Sequence, residues 1–166
     1  ETPVSFDSTL LNTEPMDYRD IIGRVTDFVR NKAHREVSSN DIANYLICIT
    51  QGFITTFAGE PGTGKTSLCN ILAKALGLVA DAPQRRFVDI SVERGWSSHK
   101  DFIGYYNPLS KKMERSNGEV FDAFKLMDTE CDCDKAEIAP FVMLLDEANL
   151  SFIEHYWAMF LRNLDF

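Results

Sequence analysis

The sequence predicts an α/β fold with a mostly parallel β-sheet. Three observations lead there. Strand-like and helix-like stretches alternate along the chain. The run Phe141–Leu145 is apolar at every position, the pattern of a strand buried on both faces of a parallel sheet. A glycine-rich turn from Gly59 to Gly64 stands between a strand pattern and a helix pattern.

The 166 residues amount to one domain. With 45% apolar and 25% charged residues, the chain is not collagen-like, low-complexity or wholly disordered. No apolar run approaches the roughly 18 residues that span a bilayer, so no membrane association is expected. Glu1-Thr2-Pro3-Val4 has no basic segment followed by an apolar one, so no signal peptide is expected in it. Without an initiator Met, the sequence reads as a fragment or a processed product. The balance of 17 basic against 25 acidic residues, net −8, excludes nucleic-acid binding by the surface as a whole. Lys111, Lys112 and Arg115 read as a solvated loop. Of the four cysteines, Cys48 and Cys69 fall in apolar helical patterns, and Cys131-Asp132-Cys133 lacks the second pair that a metal site needs. This usage fits a reduced, cytoplasmic location.

The elements follow in order. Residues 1–15 show no period and read as an extended lead-in. From Met16 to Lys32, Tyr18, Ile21, Ile22, Val25, Phe28 and Val29 recur at helical spacing. A second helix is predicted from Asn40, capped by Ser39 or Asn40, with the stripe Ile42, Tyr45, Leu46 and Ile49. Phe53–Phe57, β-branched and aromatic, reads as a strand. A helix from Lys65 to Leu76 places Leu68, Ile71, Leu72 and Leu76 on one face and stops at Gly77. Phe87–Val92 reads as the second strand. Arg94–Asn117 is irregular, with turn signals at Tyr106-Asn107-Pro108 and Ser116-Asn117-Gly118. Its aromatics Trp96, Tyr105 and Tyr106 read as caps on the core, with a grip on peptide or a stack on nucleic acid as the alternative, and His99 and His155 as ordinary hydrogen-bonding residues. Val120–Met127 reads as a helix, Asp128–Ala139 as an acidic loop, and Phe141–Leu145 as the third strand. Ser151-Phe152-Ile153-Glu154 has the capping-box pattern and opens a last helix to the chain end.

The sharpest signal is Gly59-Glu60-Pro61-Gly62-Thr63-Gly64-Lys65-Thr66, a match to G-x-x-x-x-G-K-[ST] with a strand before it and a helix after it. Glycines let the backbone wrap phosphate oxygens with inward N–H groups, and the helix N-terminus adds a favourable dipole. In this pattern Gly59 to Ser67 bind the nucleotide, Lys65 reaches the β- and γ-phosphates, and the Thr66 hydroxyl ligates Mg²⁺. The downstream strand ends in Asp146-Glu147. The C-terminal end of a parallel strand borders the crevice where such sheets bind ligands. Asp146 is expected to hold Mg²⁺ and Glu147 to orient and deprotonate an attacking water. A kinase acting on a substrate hydroxyl has no need of that second carboxylate, so the pair points to hydrolysis.

Taken together, the phosphate loop and Leu144-Leu145-Asp146-Glu147-Ala148-Asn149 resemble AAA+ ATPases. That resemblance implies a three-layer P-loop NTPase core with a mostly parallel sheet over residues 40–166, preceded by an N-terminal lead-in and helix over 1–39. Trp96-Ser97-Ser98-His99-Lys100-Asp101-Phe102-Ile103-Gly104-Tyr105-Tyr106-Asn107-Pro108 and Glu154-His155-Tyr156 are similar to McrB-like motor subunits of restriction systems. These belong to the group with an insert in the second helix. Here the insert would be Pro108–Gly118, a β-hairpin turning near Ser116-Asn117-Gly118. Asp20-Ile21-Ile22-Gly23 is loosely similar to a segment near adenine in some members, with an ordinary amphipathic helix as the plain reading. The family pattern continues with a sensor strand, a fifth strand, an arginine finger and a helical lid, so the C-terminal part and lid are expected to be missing. Arg162 reads as a surface arginine rather than a finger.

The resemblance implies ATP as nucleotide, with GTP as the alternative, Mg²⁺ as metal, and a homo-oligomeric ring, a hexamer. For the McrB-like form it implies a nuclease subunit as partner and DNA reached through other regions. Three functions stay open: such a motor, a MoxR-type chaperone acting on proteins, and a nucleotide-binding assembly fragment without turnover. The Trp96–Asn107 stretch favours the first over the second.

Overall fold

The computed structural model describes residues 17–51, 54–79, 85–130 and 140–161. They fall into two compact units, one within Ser8–Ala80 and one within Asp81–Phe166. The expectations for residues 1–15, Phe53, Cys131, Cys133 and Arg162 lie outside the described residues.

The first unit is helical: α1 (Tyr18–Asn31), α2 (Ser39–Gln51) and α3 (Lys65–Ala75). The stripes expected from spacing meet in one core. Val25 and Val29 of α1, Ile42 of α2 and Leu72 of α3 are buried, with Ile21, Ile22, Tyr45, Leu46, Ile49, Leu68, Ile71 and Leu76 packed around them. Buried Thr26 satisfies its hydroxyl by donating to the Ile22 carbonyl at 2.7 Å. The N-terminal signal of α2 lies one residue earlier than expected, at Ser38: its hydroxyl accepts from the Asp41 N–H, while the Asp41 carboxylate accepts from the Ser38 N–H and hydroxyl. Gly77 ends α3 as expected, at φ 73°, with Leu78 N–H bonded to the Ala73 carbonyl and Gly77 N–H to the Lys74 carbonyl. Cys48, expected in an apolar stripe, is exposed. Residues 54–57 are not a strand, because a strand exists through a ladder partner and they have none among the described residues. Instead Thr55 donates to the Cys48 carbonyl and Phe57 packs on Tyr45, which ties the segment to α2.

The second unit pairs β1 (Phe87–Ser91) with β4 (Val142–Asp146) in parallel. The register runs from Phe87 opposite Val142 to Ser91 opposite Asp146. Between them come α4 (His99–Phe102), an antiparallel hairpin of β2 (Tyr105–Asn107) and β3 (Lys112–Glu114), and α5 (Gly118–Glu130). A 3-10 turn (Ala148–Leu150), α6 (Ile153–Tyr156) and α7 (Ala158–Leu161) follow β4. The core joins Val88, Ile90 and Val92 to Val120 and Ala123 of α5 and to Tyr156 and Trp157. Phe102, 0% exposed, is its hub, with rings of Trp157, Phe160, Trp96, Phe124 and Tyr156 between 4.9 and 6.5 Å away. Trp96 thus caps the core as expected, whereas Tyr105 and Tyr106 are exposed.

Several boundaries differ from expectation for local chemical reasons. The hairpin turns at 108–111, not at Ser116–Gly118. The Asn107 carboxamide oxygen accepts from Leu109 and Ser110 N–H and shapes the turn. Asn117 instead caps α5 by accepting from Glu119 and Val120 N–H, which starts that helix at Gly118. At its other end α5 takes in Asp128–Glu130, expected as loop, because Glu130 is bonded to Arg86 at 2.7 and 2.5 Å. β4 is half-buried at all five positions rather than wholly covered, since β1 is its one sheet partner among the described residues. The last helix is broken into α6 and α7, and the Ser151 hydroxyl does not cap it; it accepts from Trp96 N–H and donates to the Glu93 carbonyl.

Arg86 and Glu130 are 8% and 1% exposed, and the guanidinium also lies 4.5 Å from the Phe141 ring centre. Removing one member of a buried pair strands the other charge. Glu130→Ala is therefore expected to lower unfolding free energy by about 3–5 kcal/mol in a urea titration.

Candidate functional site

The phosphate-loop motif lies wholly within the helical unit. Gly59, Glu60, Pro61, Gly62 and Thr63 are exposed; Gly64, Lys65 and Thr66 are half-buried, and Ser67 is exposed. Gly62 and Gly64 have φ of 80° and 81°, values that side chains with a Cβ avoid. The Thr63 hydroxyl donates to the Glu60 carbonyl at 2.9 Å and closes the loop on itself. Gly64 is the N-cap of α3 and brings no side chain to it. First-turn N–H groups of an α-helix lack intrahelical acceptors, so this helix start faces the loop with donors and the positive end of its dipole. The Lys65 ammonium donates to the Gly59 and Glu60 carbonyls at 2.9 and 2.8 Å. An ammonium has three donors, so these two bonds leave one for an oxygen held by the loop. Asn70 donates to the Thr66 carbonyl at 3.1 Å, one turn along α3.

The two carboxylates lie in the sheet unit. Asp146, half-buried, is the last residue of β4, and its Oδ1 accepts from the Glu147 N–H at 3.1 Å. Val92 N–H bonds the Asp146 carbonyl, so β1 fixes the end of this strand. Glu147 is exposed and left-handed, φ 54° and ψ 36°, and its carbonyl accepts from Leu150 N–H to start the 3-10 turn. That turn drops the chain out of the ladder and leaves Glu147 beyond the strand end. The Ser151 hydroxyl clasps the segment after β1 to the segment after β4 through Glu93 and Trp96. Buried Tyr156 donates to the Ala148 carbonyl at 3.4 Å, and burial, then the charge of Glu154, raises its pKa.

The helical unit thus offers donors and a cation at a helix start, and the sheet unit offers carboxylates at a strand end. Neither Ser151 nor Arg35, which donates to the Gly64 carbonyl at 3.1 Å, is visible as a support residue in the sequence. Each acts across 29 or more positions, beyond any local motif. Among the described residues no group of three or more His, Cys, Asp or Glu gathers as a metal cage, and no helix is long and apolar enough to cross a membrane.

A left-handed conformation costs a Cβ-bearing residue about 1–2 kcal/mol. Glu147→Gly is expected to melt at or above the wild-type temperature by calorimetry, while Glu147→Val melts below it.

A model of the ATPase family associated with various cellular activities (AAA) matches residues 55–155, more than half of the chain. No curated protein and no solved structure matches.

Proposed function

The chain belongs to the ATPase family associated with various cellular activities, and from that premise we propose that it binds ATP with Mg²⁺ on Gly59–Ser67 and hydrolyses it with Glu147 as the base. The observation that carries the reading is the loop geometry: two left-handed glycines before a helix start, with a lysine ammonium over the loop carbonyls. Loop N–H groups would hold phosphate oxygens, and Lys65 would neutralise charge toward the γ-phosphate. The Thr66 hydroxyl and the Asp146 carboxylate are hard oxygen donors of the type Mg²⁺ takes alongside phosphate and water. When bound, Mg²⁺ supplies charge neutralisation of the phosphate chain. Glu147 would accept a proton from the attacking water, which it can do because it lies beyond the strand end and is solvent-exposed.

Members of this family commonly assemble as rings, and we propose a homo-oligomeric ring here, with neighbouring copies completing each site. Within the family we favour the McrB-like type, acting with a nuclease subunit on DNA, with GTP as the alternative nucleotide. The support is the Trp96–Pro108 similarity and the hairpin of β2 and β3 inserted before α5, whose tip exposes Leu109 (93%) and whose first strand exposes Tyr106 (61%).

Equilibrium binding and phosphate release on purified protein test the reading. Lys65→Ala is expected to lose ATP binding. Glu147→Gln is expected to retain binding while phosphate release falls by about 100-fold or more, the scale of a lost general base. Normal release by Glu147→Gln would remove Glu147 from the mechanism.

A further inference from the structure

Arg35 lies outside the phosphate-loop motif and upstream of the 55–155 family match. The connection from α1 to α2 aims it. Ala33 N–H bonds the Phe28 carbonyl, and Arg35 N–H bonds the Val29 carbonyl. The Arg30 side chain donates to the Val37 carbonyl at 2.8 Å. His34 turns the chain at φ 53°, and the Ser38–Asp41 bonds close the connection at α2. From this pinned loop the half-buried Arg35 side chain donates Nη1 to the Gly64 carbonyl. Its guanidinium packs against the Gly64 Cα so closely that a Cβ there would collide with it.

The electrostatics of that placement are one-sided. The guanidinium stands at the first turn of α3, the positive end of an eleven-residue helix, and Lys65 is the next residue along. Among the described residues no carboxylate lies within ion-pair distance of Arg35. Two cations and a helix N-terminus repel each other when the loop is empty and are jointly relieved by an anion. Arg35 has five N–H donors in a planar fork suited to two phosphate oxygens.

We propose that Arg35 is a phosphate-binding residue of the nucleotide site, a second cation beside Lys65 that contacts the phosphate chain. The assignment rests on the reading of Gly59–Ser67 as the nucleotide site. It makes the connection between α1 and α2 part of that site and gives Gly64 two duties, a left-handed backbone and room for the guanidinium.

The test is titration calorimetry of the full chain with ADP and, separately, with inorganic pyrophosphate. Arg35→Ala is expected to weaken both by about tenfold or more, the scale of a lost charge-assisted hydrogen bond. Arg35→Gln keeps an N–H for the Gly64 carbonyl without the charge; it should fold as wild type by circular dichroism and weaken both ligands similarly. Arg35→Lys should recover part of the loss. If Arg35→Ala fails to fold, the Gln variant decides. Unchanged affinities in folded Arg35→Gln, with binding abolished in Lys65→Ala, would overturn the role of Arg35 and leave the nucleotide site standing. Loss of ADP affinity with pyrophosphate unaffected would move Arg35 to the nucleoside and overturn the phosphate assignment. A wild-type chain that binds neither ligand would sink the nucleotide reading, and this inference with it.

Discussion

The parallel register of β1 with β4 is the constraint on which the sheet unit depends. Parallel strands cannot be joined by a tight turn, so the chain must cross over between Ser91 and Val142. α4, the hairpin and α5 lie in that crossover, and the apolar residues of α4 and α5 close over Val88 and Ile90, while the hairpin stays exposed. A slip of one residue would turn every β4 side chain to the opposite face and move Asp146 away from the end of β1. The Arg86–Glu130 pair holds that register at one end, where the Arg86 carbonyl also accepts from Val142 N–H. At the other end Val92 bonds Asp146, and the Ser151 clasp prevents the two exit segments from separating. The position of the two carboxylates is thus decided by packing many residues away from them.

The helical unit solves a different problem, how to hold an irregular glycine loop in one shape. Its three-helix core is ordinary hydrophobic burial, worth about 1.5–3 kcal/mol for each fully buried Val, Ile or Leu. The loop itself gains almost nothing from burial, since Gly59–Thr63 are exposed. It is held by hydrogen bonds to its own carbonyls: Thr63 and Lys65 to Glu60, Lys65 to Gly59, Arg35 to Gly64. Each contributes about 1 kcal/mol net, more where the donor is charged. The stable core is therefore a platform, and the exposed loop on it is held mainly by these hydrogen bonds.

What was legible in the sequence was local. Periodicity located α1, α2 and α3 and the residues that meet in their core, and an apolar run located β4. Backbone exits chosen by glycine, such as Gly77 after α3, were legible because one residue decides them. Competition between two turn formers was not: Asn107 shapes the hairpin turn and Asn117 caps a helix, and a composition rule treats both alike. Residues 54–57 have β propensity, but a ladder needs a partner, which propensity does not supply. Ser151 fitted a capping pattern yet bonds across 55 positions to Trp96. For the candidate site, the motif residues were legible and their supports were not, because Arg35, Ser151 and the Arg86–Glu130 pair act through contacts that exist only once the chain is folded.

The net charge of −8 then sits beside a loop proposed to take a polyanion, and the two are compatible once range is considered. In physiological salt, charges more than about 8–10 Å apart are largely screened, so the overall acidity acts weakly on a ligand already at the loop. At about 4 Å, in an effective dielectric near 20, one unit charge pair is worth about 4 kcal/mol. On the proposed reading Lys65 and Arg35 would act at that short range, where few local cations outweigh many distant acids. What the acidity still affects is approach, where a ligand of lower charge meets less repulsion. On the proposed reading this favours nucleotide already complexed with Mg²⁺ over the free polyanion.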